Sequence, residues 1–254
     1  MNLYMSAFFT VTDIVSETAG FTVGNTIGCF PLLWSKSMVI QVLGQKFLKR
    51  TLDIILSALA LVALSPVFLV VSILIRSDDG GSILFRQKRV TRDGKLFTIY
   101  KFRSMREDAE KDGAQFTIDD DPRITKVGRG LRRSRLDELP QLINILKGDM
   151  SIVGPRPERI ENYDMYESEI PEFRYRTKVK AGLTGYAQVY GKYNTTAYDK
   201  LRLDLMYIEN YSIILDIKLV LMTFRTLFQK ESTEGYSDNK GNNFPDDMSG
   251  GDSE

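Results

Sequence analysis

Two adjacent carboxylates, Asp137 and Glu138, follow three arginines in the run Arg132-Arg133-Ser134-Arg135-Leu136-Asp137-Glu138-Leu139-Pro140, the cluster in this chain best suited to chemistry on an anion. Leu139, Leu142, Ile143 and Leu146 share one face of a helix expected to start at Asp137 and close at Gly148, which puts both carboxylates at its N-terminus. There the positive end of the macrodipole and the neighbouring cations favour an ionised Asp137 and attract phosphate. Pro140 costs little in a first turn, where the missing amide has no intrahelical partner. The same pattern is also that of a plain helix cap, with Asp137 as N-cap, and spacing by itself does not separate a cap from a catalytic pair.

Arg156 lies in the loop Gly154-Pro155-Arg156-Pro157. Flanking prolines fix the backbone around it, so its guanidinium can be presented to a phosphate with little entropy loss. Structural loops use prolines in the same way. Lys101, Arg103 and Arg106 lie on a basic strand that could face the same anion, although such residues are commonly just solvated.

Composition removes whole classes of chemistry. The chain has no histidine and one cysteine, Cys29. That excludes Ser-His and Cys-His nucleophile pairs, an HExxH zinc site and a disulfide framework. Reaction must then run on carboxylates, Lys, Arg, Tyr or hydroxyls, with an oxygen-loving ion such as Mg2+ as the expected metal. There is no GxxxxGK[ST] loop and no GxGxxG fingerprint. Asp119-Asp120-Asp121 resembles a DxD metal motif, but Pro122 favours a turn. Phe85, Phe97, Tyr100 and Phe102 interleave the basic block as on a nucleic-acid surface; strand alternation accounts for them as core, and no nucleic acid is expected as a partner.

The 254 residues carry a net charge of +1 that conceals an uneven distribution. Leu84 to Leu136 holds 15 Lys/Arg against 8 Asp/Glu, a net +7, whereas Glu231 to Glu254 holds 7 acidic residues against one Lys, a net −6. The basic block suits an anionic partner, and the acidic tail 231–254, with almost nothing apolar to bury, reads as disordered.

These residues need elements to position them. Residues 1–43 are poorly patterned and show no signal-peptide organisation. A helix-compatible run starts at Gly44 and leads into Ile54 to Ile75, 22 residues without a charge. At about 1.5 Å per residue this could just cross a hydrocarbon core about 30 Å thick. Ser65-Pro66 at its centre predicts a kink. Lys46, Lys49 and Arg50 on one flank and Arg76 on the other both read as cytoplasmic, which a helix that enters, bends and leaves on the same face satisfies.

Beyond it, two strands joined through Arg92-Asp93-Gly94 form a hairpin, and Arg106 to Lys111 and Glu158 to Arg176 read as helical. A short basic helix is expected around Arg129 to Arg135, and a loop or strand from Ala181 to Gly191. Leu215 to Lys230, with Ile217, Leu221, Phe224 and Phe228 against Lys218, Arg225 and Lys230, reads as a basic amphipathic helix suited to a membrane interface or, equally, to a core. The fold class expected is α+β, mostly helical, with a Ser-Pro-broken re-entrant membrane helix over residues 44–76. A domain at 77–230, built on a small antiparallel hairpin and amphipathic interfacial helices, follows it.

From about Leu43 to Phe228 the chain resembles the bacterial sugar transferases, the monotopic polyprenyl-phosphate phosphoglycosyl transferases. The resemblance is carried by KRTLD at Lys49 to Asp53, the Ser65-Pro66 break, FTIYKFRSM at Phe97 to Met105 and DPRITKVG at Asp121 to Gly128. It continues through LDELPQLINILKGDMSIVGPRP at Leu136 to Pro157, AGLTGYAQV at Ala181 to Val189 and LDLMYIENYS at Leu203 to Ser212. It implies a re-entrant helix and a two-step covalent mechanism. Asp137 attacks the β-phosphate of a nucleoside-diphosphate sugar, expected to be a UDP-hexose, and polyprenyl phosphate then takes the phosphosugar. Glu138 holds Mg2+ and Arg156 clamps a phosphate.

The resemblance further implies the cytoplasmic face of a bacterial inner membrane, membrane lipids as partners and a role in exopolysaccharide or glycoconjugate synthesis, and leaves homo-oligomerisation open. Ile27 to Ile40 resembles the end of the upstream domain of larger relatives, so the chain reads as a truncated large-type enzyme. Two other readings compete: a membrane-tethered module that binds anionic lipid or nucleic acid without catalysis, and a metal-dependent lipid phosphatase.

Overall fold

Pro66 has no amide to give the carbonyl of Val62, four residues back, and this shapes the longest helical stretch of the protein. In the computed structural model, which describes residues 30–109, 111, 121–191 and 195–227, with side chains from residue 44 to residue 226, helix α1 runs Phe30–Ala63 and α2 runs Ser65–Asp79. The Ser65 hydroxyl donates 2.8 Å to the freed Val62 carbonyl. The segments Gly44–Ala63 and Ser65–Asp79 are bent by 60° at the break. The kink stands where expected, but α1 is already under way at Phe30, well before Gly44.

Ile54, Ile55, Leu56, Leu59 and Val62 of α1 and Leu69, Val70, Ile73 and Leu74 of α2 are exposed. Among the described residues no single helix is long and apolar enough to cross a membrane; the bent pair together is.

The other faces of both halves belong to the core. Ala60, Leu61 and Leu64 pack on a buried cluster of Phe97, Ile99, Leu142, Ile145, Met150 and Ala181. Val71 and Ile75 of α2 pack with Phe102 and Leu131. Three side chains at the start of the segment fasten it. Lys49 Nζ lies 2.6 Å from Asp216 Oδ2, Arg50 donates to the Ile145 and Leu146 carbonyls at 2.6 and 2.8 Å, and buried Asp53 accepts from the Ile152 amide at 3.0 Å.

The hairpin forms as expected, β1 (Leu84–Val90) antiparallel to β2 (Leu96–Phe102) in the register Leu84↔Phe102 to Val90↔Leu96. Asp93 and Gly94 at its turn have φ of 59° and 69°, the left-handed conformation that Asp and Gly tolerate best. Arg106 to Lys111 is not a helix: residues 107–109 form turns, and the Arg106 amide bonds instead to the Arg123 carbonyl. Helix α3 (Lys126–Arg133) is capped by the Thr125 hydroxyl, which accepts from the Gly128 amide at 2.9 Å. A 3₁₀ turn, Leu136–Glu138, leads to α4 (Gln141–Lys147), closed by Gly148 at φ 94°.

Strand β3 (Met150–Val153) pairs in parallel with β4 (Ala181–Thr184), a second two-stranded sheet that the sequence did not announce. Glu158 to Arg176 is not one helix. Helix α5 (Ile160–Glu169) stops before Pro171, and a 3₁₀ stretch Pro171–Lys178 follows. Ala181 to Gly191 holds β4 and also a short helix, α6 (Tyr186–Tyr190). Helices α7 (Ala197–Glu209) and α8 (Ile213–Leu227) complete the mostly helical α+β fold. On α8, Leu219 and Asp216 face inward while Ile214, Ile217, Leu221 and Phe224 are exposed. Phe228, Lys230, Asp119, Asp120, residues 1–29 and the tail lie outside the described residues.

Candidate active site

The expected helix start at Asp137 is displaced. Arg135 takes the left-handed conformation at φ 58°, which an α-helix cannot pass through. Only a 3₁₀ turn forms over the carboxylates, with Glu138 N bonded to Arg135 O and Leu139 N to Leu136 O, each at 3.2 Å. Pro140, not Asp137, occupies the cap position of α4. Asp137 is therefore not a helix cap, and a three-residue turn offers no macrodipole to keep it ionised.

The two carboxylates have opposite surroundings. Glu138 Oε1 is 3.0 Å from Lys101 Nζ and 2.5 Å from Arg156 Nη2, and Oε2 is 3.4 Å from Arg156 Nη1. Burial works against its ionisation, but the Arg156 and Lys101 charges prevail and hold it well below the usual glutamate range. Asp137, 8% exposed, accepts no hydrogen bond among the described residues. Burial pushes its carboxyl up, against the opposing pull of Lys101. Burial also lowers the Lys101 ammonium, while Glu138 raises the Arg156 guanidinium. Glu138 is thus an ion-paired anchor, and Asp137 has lone pairs not committed to any partner among the described residues.

The fold brings Asp137, Glu138, Lys101 and Arg156 together from the 3₁₀ turn, β2 and the loop after β3. It does not bring Arg103 there. Arg103 is buried, forks onto both oxygens of Asp79 and donates 2.5 Å to the Ser82 carbonyl. It ties the end of α2 to the hairpin. Asp121 of the former Asp run is buried and pairs with Arg123 at 2.6 Å. Sequence reading missed Arg132 as an individual contributor. Its charge also pulls down the Asp137 carboxyl, and its Nε donates 2.9 Å to Ser104 Oγ.

An apolar groove of about 530 Å³ reaches this site. Pro66, Val67, Val70, Val71 and Leu74 of α2 form one wall, and Lys126, Val127, Gly130, Leu131 and Ser134 the other. Leu136, the neighbour of Asp137 in sequence, also lines it.

A buried carboxylate bordered by three cations, next in sequence to a residue that lines an apolar groove, is the cluster of chemical groups that the fold assembles. The model of the bacterial sugar transferase family matches residues 44–230, and the chain belongs to that family. It is 44% identical over 184 residues to a UDP-N-acetylgalactosamine-undecaprenyl-phosphate N-acetylgalactosaminephosphotransferase of Aeromonas hydrophila, covering 71% of this chain and 44% of that protein. It is 42% identical over 183 residues to the UDP-glucose:undecaprenyl-phosphate glucose-1-phosphate transferase of Escherichia coli K12, covering 70% and 39%. An exopolysaccharide production protein, PSS, of Rhizobium leguminosarum bv. phaseoli is 42% identical over 185 residues, covering 69% of this chain and 92% of that one. The chain thus spans less than half the length of the first two.

Proposed function

We propose that the protein transfers a sugar 1-phosphate from a nucleoside-diphosphate sugar, a UDP-hexose, to polyprenyl phosphate through a phosphosugar held on Asp137. The observation that carries this is the contrast between Asp137, which accepts no hydrogen bond among the described residues, and ion-paired Glu138. The activities named for the Aeromonas and Escherichia relatives support the substrate classes.

In the first step an Asp137 oxygen bonds to the β-phosphorus, and the bond from that phosphorus to the bridging oxygen breaks. The oxygen leaves on the nucleoside monophosphate. In the second step a phosphate oxygen of the lipid attacks the same phosphorus, and the bond to Asp137 breaks, restoring the carboxylate. Lys101, Arg132 and Arg156 stand where negative charge builds on the phosphoryl oxygens. No group of three or more metal-binding side chains occurs among the described residues. The donor set, two adjacent carboxylates, fits Mg2+, which one or two carboxylates hold while substrate phosphates complete the shell. Both Glu138 oxygens are paired here, so Glu138 would hold the ion once a substrate phosphate draws Arg156 away, and the ion when bound would supply charge neutralisation at the diphosphate.

The groove accommodates the first isoprene units of the acceptor, whose phosphate then meets Asp137. The bent pair α1–α2 enters one leaflet and returns, and the exposed Ile214, Ile217, Leu221 and Phe224 face of α8 lies at the interface, on the cytoplasmic side of the inner membrane. The deciding experiment incubates the protein with Mg2+, polyprenyl phosphate and a panel of nucleotide sugars and measures nucleoside monophosphate. Release that requires a particular sugar nucleotide supports the reading. Release of inorganic phosphate from the lipid alone would replace it with a phosphatase.

A further inference from the structure

The backbone that carries Arg156 is held at every carbonyl from Pro155 to Glu158. Gly182 N donates to Pro155 O at 2.9 Å and Val90 N to Glu158 O at 3.2 Å. Arg89 Nη1 donates to Pro157 O at 3.3 Å. The carbonyl of Arg156 itself is taken by a side chain, Arg176 Nη2 at 3.0 Å.

Arg176 is only 4% exposed, and its whole fork is in use. Nε and Nη2 donate to Asp204 Oδ2 at 3.0 and 2.7 Å, and Nη1 donates to Glu158 Oε1 at 3.2 Å. Lys200 Nζ adds a 3.0 Å bond to the same Glu158 oxygen. Burying such a network is weak evidence for stability, because an apolar set of similar volume commonly does as well. What apolar residues could not do is grip the Arg156 carbonyl while fixing Glu158 two residues on. Lysine could not do it either, having a point charge in place of a planar fork.

We propose that Arg176, seated by Asp204 and Glu158, is a positioning residue for the Arg156 guanidinium: it sets the backbone from which Arg156 reaches Glu138 and the substrate phosphate. This deepens the transferase reading and rests on it. Arg176 touches neither Glu138 nor Asp137; its action passes through the Arg156 backbone.

The test is a double-mutant cycle of Arg156→Lys and Arg176→Lys in the full chain, read on nucleoside monophosphate release and, separately, on the affinity for inorganic pyrophosphate. Arg176→Lys alone is expected to lower kcat/KM roughly tenfold or more in protein that stays folded at the assay temperature. In the Arg156→Lys background it costs less than about threefold further, since the group it positions is already gone. Losses that multiply overturn the proposal, as does a wild-type level of activity in Arg176→Lys. If Arg176→Lys does not fold, Asp204→Asn, which removes the charge that seats Arg176 while keeping its shape, takes its place in the cycle under the same criteria. Wild-type protein that binds pyrophosphate without turnover counts against the transferase reading alone, and the pyrophosphate cycle then decides the role of Arg176. Protein that does neither overturns both.

Discussion

Lys49 and Asp216 stand 2.6 Å apart, one at the base of the broken helix and the other on the last described helix. Tyr207 donates to the second Asp216 oxygen at 2.8 Å, so this carboxylate is shared between the apolar segment and the catalytic fold. Replacing Lys49 by Met strands a largely buried carboxylate. The expected cost is about 3 kcal/mol, the low end for breaking a buried pair. In a chain of this size that is a fall of roughly 6 to 12 °C in the thermal midpoint, read by differential scanning fluorimetry in detergent. An unchanged midpoint would show the pair to be ornamental.

Asp137→Asn removes the proposed nucleophile but no hydrogen bond of the described residues. Nucleoside monophosphate release should drop at least about a thousandfold while the thermal midpoint holds or rises. Mass spectrometry after mixing wild type with donor alone should show a phosphosugar adduct on Asp137 that the variant lacks. Full activity in the variant removes Asp137 from the mechanism.

Asp137 must be ionised to attack, so activity disappears as pH falls through its pKa. Burial places that acid limb above the ordinary aspartate value of 3.8, and the Lys101 charge restrains it. Lys101→Met withdraws the restraint, and the acid limb of kcat/KM should move to higher pH. A limb that stays put, or moves down, contradicts the role given to Lys101.

The Ser65-Pro66 bend predicts that both ends of the apolar pair lie on one side of the membrane. Lys46 and Ser77 are exposed at those ends. In a Cys29→Ser background, Lys46→Cys and Ser77→Cys should both react with an impermeant maleimide in inside-out vesicles, and neither in right-side-out cells. Opposite sidedness would make the segment a spanning helix.

Local signals in the sequence were readable, and pairings across the chain mostly were not. Asp93-Gly94 marked the hairpin because its turn needs two positive φ values in succession. Ser65-Pro66 marked the bend because proline subtracts a donor. The Asp137 turn was misread because Leu139, Leu142 and Leu146 keep a helical spacing that runs on from the 3₁₀ turn into α4 and hides where one gives way to the other. The parallel β3–β4 pair left little trace: each strand is four residues long, and their approach depends on Gly154 and Gly182, where an added Cβ would lie 2.3 Å from the Lys180 carbonyl oxygen and 2.1 Å from the Gly154 amide. Arg103 and Arg176 looked like any basic residue. Their partners, Asp79, Asp204 and Glu158, are distant in sequence, and only the fold reveals which guanidinium is a buried structural tie and which stands beside the Asp137–Glu138 pair.

Helix α3 carries two glycines with opposite fates. A Cβ on Gly128 would stand 2.0 Å from the Ser104 carbonyl oxygen, whereas one on Gly130 would meet nothing within 4 Å. The first sets the closest approach of two backbones, and with it the reach of Arg132 toward Asp137. The second is a spare position on the wall of the apolar groove. Natural or designed variation in this helix is therefore barred at 128 and open at 130, where each added methyl group narrows the groove. One helix thus holds both a fixed steric stop against β2's end and an adjustable wall of the groove.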